Sequence, residues 1–328
     1  VTAHLAGIDT ATLVGWNLTA IWSAMALYAL SFIAFTFDLA TRVAPARAAV
    51  TIAASGAASV SSGGSSTAVL ERTVVEGADG QPKRSRWVRL AMILLVMAWV
   101  LHVGGTVVRG IAAGRVPWAN MFEFSLTATA IVVGVFLAVQ LWQDLRFLGA
   151  FISGFVLLFL GIATVNFYVD VVPLPPALQS YWLVIHVFVA SLGTGFFALG
   201  GALSVVQLLK SRRDYGRMRF LTTFPEAERV ENMSYRLIIV GFIFWTFTLI
   251  AGAIWANHAW GRYWGWDTKE VWTFIVWVIY AGYIHARSTK GWRGSRSAWL
   301  ALVGFSAVLF NFTIVNLFFK GFHAYSGL

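Results

Sequence analysis

FLGAFISGFVLLFLGIATVNFYV, residues 147–169, contains no charged side chain and is long enough to cross a ~30 Å hydrocarbon core as a helix. Seven more stretches of similar character lie outward from it in both directions, at about 13–37, 87–109, 119–143, 181–209, 235–256, 270–287 and 297–319. A backbone in lipid must satisfy its own hydrogen bonds, and none of these segments alternates apolar and polar residues as outer-membrane strands do. They therefore read as helices. Composition agrees: 59% of the 328 residues are hydrophobic and 12% charged, which excludes an ordinary soluble domain.

The formal net charge of +10 could suggest nucleic acid, but in a membrane chain Lys and Arg set topology. With the N-terminus outside, 19 of the 24 Lys and Arg residues fall in segments 38–89, 144–146, 210–236 and 287–296, all on the cytoplasmic side. The remainder are Arg109, Arg115, Arg262, Lys269 and Lys320. The expected fold class is an all-α polytopic integral membrane protein of about eight transmembrane helices, N-out and C-out, and no nucleic-acid partner is called for. The first span is too long for a cleaved signal peptide and reads as a retained helix. The chain has no cysteine, so any thiol chemistry must come from a substrate.

Residues 1–43 hold the first helix and 87–328 a seven-helix membrane domain. Between them, 44–86 are rich in Ala, Ser and Gly and end in a basic cluster, the composition of a flexible cytoplasmic linker. Segment 210–236 mixes charges and is expected to carry a short surface helix. DVVPLPPALQ, 170–179, has three prolines and reads as a non-helical connection.

The most unusual stretch is WANHAWGRYWGWDTKEVW, 255–272. It gathers Trp255, Trp260, Trp264, Trp266, Trp272 and Tyr263 at the outer ends of the sixth and seventh spans. An interfacial aromatic belt accounts for one or two of these. Tryptophans at i, i+4 and i+6 beside Gly261 and Gly265 suit a large planar ligand such as a porphyrin, held by stacking and area burial. Of six histidines, His186 lies near the outer mouth of the fifth span and His323 just past the outer end of the eighth, level with this loop. Two neutral imidazoles on opposite faces of a haem would fill both axial positions of its iron. Arg262, Lys269, Arg109 and Arg115 are candidate donors to haem propionates. Asp267 and Glu270 have capping-box spacing for a helix beginning near 268.

WANHAWGRYWGWDTKEVWTFIVWVIYAGYIHAR, 255–287, resembles the tryptophan-rich WWD signature of the CcsA/ResC family, labelled CcsB in some lineages, of System II cytochrome c maturation. VPWANMFEFS, 116–125, and VNLFFKGFHAYSGL, 315–328, match the family too, and the resemblance runs from about residue 87 to the end. It implies a plasma-membrane haem handler with an extracytoplasmic active face. With a ResB-type partner it would act as a holocytochrome c synthase, attaching haem b to the Cys-x-x-Cys-His motif of apocytochrome c. In such a protein the WWD loop, here Trp255, Trp260, Arg262, Trp264, Trp266, Asp267 and Trp272, holds haem beneath His186 and His323.

The resemblance also implies an inner haem site at His285, which follows Trp272 by about 20 Å of helix and so sits in the cytoplasmic half of the bilayer. His102 is a weaker candidate for the second inner ligand, because it lies higher in the membrane than His285, and that ligand is expected from the partner. His258 reads as loop structure and His4 as uninformative. The competing classes are a haem exporter without synthase activity and an electron-transfer haem subunit, which would need histidine pairs buried within spans.

Overall fold

The computed structural model describes residues 9–42, 85–174, 178–212, 219–289, 291–319 and 321–323. Eight long helices run through them: α1 (Thr10–Arg42), α2 (Arg86–Ala113), α3 (Met121–Val139), α4 (Gly149–Asn166), α5 (Tyr181–Lys210), α6 (Ala227–Trp260), α7 (Thr268–Ser288) and α8 (Ser295–Phe312). A one-turn helix, α9 (Ile314–Phe318), follows, and there is no strand among the described residues. Among the described residues seven segments, with α8 and α9 taken together, are long and apolar enough to cross a membrane. Helix α7 falls short of that measure because Trp, Tyr, Lys and Glu lower its hydropathy, although its 21 residues would rise about 30 Å. The chain is a polytopic helical membrane protein.

Local signals place the helix ends. Ser85, Asn120 and Ser180 cap α2, α3 and α5, each accepting from a backbone N–H of the first turn. Gly261, in the left-handed region at φ 70°, closes α6. The short helix expected in the charged segment 210–236 is present as the five-residue 3-10 helix Arg219–Thr223, and from Ala227 the chain is already α6. The eighth span is present, with its helix interrupted at Thr313; beside the interruption Lys269 Nζ donates to the Asn311 carbonyl at 2.8 Å. The expected linker lies almost wholly outside the described residues, and the described part of 170–179 contains no α-helix.

Two apolar cores share α5. One gathers Tyr28, Leu95, Phe122, Phe136 and Leu199 from α1, α2, α3 and α5. The other stacks Phe197 on Tyr280 at 3.8 Å and adds Trp245, Val276 and Phe305 from α6, α7 and α8. Helices α5 and α6 make the most extensive pairing, and Gly200 explains their closeness, since a Cβ there would stand 2.5 Å from Ile238. The bundle exterior carries Leu30, Ile93, Val100, Leu158, Ile243 and Ile250, all exposed, as a lipid-facing surface requires.

The two ends of the bundle differ. At one end Glu231 of α6 pairs with Arg287 of α7 at 2.9 Å and accepts from Gly294 N and Ser297 Oγ at the start of α8. Lys210 at the end of α5 donates to the Phe224 carbonyl there. The other end holds the tryptophan loop.

Candidate functional site

At that other end a cavity of about 180 Å³ opens between α5, α6, α7, α8, the segment before α3 and the tail at 321–323. His186 lines it from the second turn of α5. Its Nδ1 lies 3.0 Å from the Thr248 carbonyl of α6. A carbonyl only accepts, so Nδ1 carries the proton and Nε2 keeps its electron pair. The imidazole stacks on Trp255 with centroids 5.9 Å apart and planes 13° from parallel. Gly252 makes this position possible, because a Cβ there would come within 2.7 Å of His186 Cε1.

His323 lines the same cavity from the far end of the chain. Its Nδ1 is 2.6 Å from Asp267 Oδ2, and its ring meets Trp255 edge-on at 5.5 Å and Trp260 at 4.9 Å. Hydrogen bonding to His323 holds the Asp267 carboxyl below the usual aspartate range, against the opposing effect of burial. Asp267 Oδ1 also accepts from Phe322 N at 3.3 Å. The chain thus brings residues 186 and 323 against one indole and into one cavity, each with Nδ1 occupied by an oxygen.

The other tryptophans divide. Trp255 is buried and Trp264 lines the cavity. Trp260 backs His323 and Phe322. Trp266 is 77% exposed, at φ 60°, a conformation uncommon for a bulky residue, and touches Trp264 edge-on. Trp272 turns away, packing on Phe310 of α8 at 4.3 Å. The capping box forms as expected: Asp267 stands at the N-cap of α7, and Glu270 Oε2 accepts from Asp267 N at 3.1 Å and Gly265 N at 2.8 Å.

The candidate cations are already engaged. Arg109 and Arg115 converge on Glu123 at 3.0 and 2.6 Å. Arg262 pairs with Glu270 at 3.3 Å and lies over Phe322. Lys269 lines the cavity but donates to the Asn311 carbonyl and to Asn316 Oδ1 at 2.6 Å.

Away from this cavity, His285 is exposed on α7, whereas His102 is fully buried in α2 with Nδ1 3.2 Å from the Tyr28 hydroxyl. Those two histidines belong to different parts of the bundle. His258, expected in a loop, is exposed on the last turn of α6, and His4 lies outside the described residues.

Sequence reasoning overlooked Thr248, Gly252, Trp118 and Asn120, all of which line the cavity. An isolated glycine one turn before Trp255 was a readable sign of close approach. The carbonyl of Thr248 left no sign, since any residue presents one.

Comparison with known proteins bears on this arrangement. The sequence profile of the family described as cytochrome C assembly protein matches residues 118–323, from the first of these loop residues to the second histidine. The cytochrome c biogenesis protein CcsA of Guillardia theta is 35% identical over 240 residues, covering 67% of this chain and 80% of its own length. CcsA of Prochlorococcus marinus (strain AS9601) is 34% identical over 279 residues, covering 76% and 87%. CcsA of Chlamydomonas reinhardtii is 42% identical over a shorter 153 residues, covering 47% of this chain and 43% of its own. The chain belongs to the cytochrome c assembly protein family, in its CcsA branch, as the tryptophan-rich signature had implied.

Proposed function

We propose that this protein serves cytochrome c biogenesis by holding haem b, its cargo, at this cavity between His186 and His323 on the extracytoplasmic face of the plasma membrane. The observation that carries the reading is that two imidazoles, 137 residues apart in the chain, line one cavity and both meet the Trp255 indole. In each, an oxygen acceptor takes Nδ1 and leaves Nε2 as the electron-pair donor, the arrangement by which metal-ligating histidines are oriented. The largely apolar walls, with Trp255 and Trp264, suit a flat macrocycle. The cavity is smaller than the ~300–1,000 Å³ of preformed small-molecule pockets, so admitting haem requires the 261–267 loop and the 321–323 tail to move outward.

Haem would supply the iron and the vinyl groups to which the two thiols of an apocytochrome Cys-x-x-Cys-His segment add. This chain, without cysteine, contributes orientation, axial ligation and shielding. It would act as a haem lyase together with a ResB-type membrane partner. An inner haem at His285 would need its second ligand from that partner, because His285 is exposed on the bundle exterior and His102 is enclosed beside Tyr28.

The test is the absorption spectrum of the purified protein under reducing conditions. A six-coordinate haem spectrum is expected, weakened in His186→Ala and His323→Ala and partly restored by added imidazole. Full haem content and full cytochrome yield in both variants would refute the ligand assignment, and bound haem without thioether product from the partnered complex would reduce the role to export.

A further inference from the structure

Two hydrogen-bond donors on the cavity wall have no partner. Asn120 is 4% exposed, and its Oδ1 accepts from Glu123 N at 3.0 Å as the cap of α3. That role fixes the amide orientation, so the group left over, Nδ2, is a donor. It is buried and unpaired, as is the indole Nε1 of Trp118 two residues earlier. Both side chains line the cavity that His186 and His323 line. An unsatisfied buried donor is costly, and two together point to an acceptor that arrives with a ligand.

Both groups can only donate, which calls for an acceptor with lone pairs and favours an anionic one. One turn along α3, Arg109 and Arg115 converge on Glu123, with Asp170 bonded to Tyr168 next to Arg109. The cations that sequence reading favoured for such a task, Arg262 and Lys269, are bonded elsewhere. A third buried unpaired atom among the cavity residues, Asn311 Oδ1, is an acceptor on α8 and repels rather than receives an anion.

We infer that Trp118 and Asn120 form a subsite for a carboxylate at the edge of the bound macrocycle, so that the segment before α3 selects the ligand by its acidic periphery while the histidines take its metal. The inference rests on the haem reading above and adds to it the group that reads the ligand's orientation. Two N–H donors converging on a carboxylate make charge-assisted bonds, stronger than neutral ones.

The experiment titrates the full-length purified protein with haem b and, separately, with haem b dimethyl ester, in which both propionates are neutralised, and follows absorption. The wild type is expected to bind haem b roughly 10-fold or more tightly than the diester. Trp118→Phe keeps the ring and removes the donor. Asn120→Asp keeps the cap acceptor of α3 and replaces the donor with a charge. Each should weaken haem b binding while leaving diester binding nearly unchanged, and so abolish the preference. Equal affinity of the wild type for both ligands, or variants that lose both ligands equally, would overturn the subsite. Failure of the underlying reading looks different: neither ligand's spectrum would then respond to His186→Ala.

Discussion

Gly252 controls whether His186 can occupy its place. Alanine favours a helix more than glycine does, so Gly252→Ala should preserve or raise helix content. Its Cβ would nevertheless crowd the imidazole and break the bond to Thr248. The expected result is loss of most bound haem with unchanged circular dichroism, a separation that a general folding defect would not give. Asp267 tests the other imidazole. Asp267→Asn removes the carboxylate that holds His323 Nδ1, and loss of such a supporting partner typically weakens metal binding ~10–100-fold, measurable by haem titration. The same carboxylate gives a pH prediction. Its pKa is depressed in the folded chain, so its stabilising contribution is complete above the ordinary aspartate value of ~3.9 and is lost as pH falls through the lower folded value. Tryptophan fluorescence should accordingly report release of the 321–323 tail only in strong acid, and Asp267→Asn should lack that transition. At this scale the sequence put His186 and His323 at one level, because their positions at span ends are countable, and both line one cavity. It could not convey that Asp267, which it marked as a cap, also holds His323, because that contact spans 56 residues.

Among the elements, long apolar runs were readable and irregularities were not. Periods of hydrophobicity locate α4 and α5 within a few residues, yet they do not foresee the interruption at Thr313, beside which Lys269 of α7 reaches the Asn311 carbonyl. Nor do they show that α7, the least apolar of the eight long helices, is held by polar bonds at both ends: Lys269 to α8 and α9, and Arg287 to Glu231 of α6. The second bond invites a stability test. Glu231 and Arg287 are 5% and 6% exposed, and removing one partner of a buried pair leaves an uncompensated charge worth ~3–5 kcal/mol. Glu231→Ala should lower the unfolding temperature in detergent markedly, whereas Glu231→Ala combined with Arg287→Met should recover part of the loss. A double variant no more stable than the single one would show that the pair is not the source.

Across the whole molecule, the charge count and the bundle agree on polarity. The basic connections gather at the Glu231–Arg287 end and the tryptophan loop at the other. The absence of cysteine makes this testable with single introduced thiols. Val172 and Leu141 are exposed in the connections at opposite ends. In intact cells an impermeant thiol reagent should label Val172→Cys, and it should reach Leu141→Cys only after the membrane is opened. The reverse pattern would place the cavity in the cytoplasm.

The anchoring of the two imidazoles is unequal. His186 is built into a thirty-residue helix and braced by a second one, so moving it means deforming the bundle. His323 rides on a short stretch fastened by one carboxylate and a few ring contacts. On the proposed function, a client polypeptide offering its own histidine would meet one permanent post and one unhookable latch, and the exchange that hands over the cargo would begin at the latch.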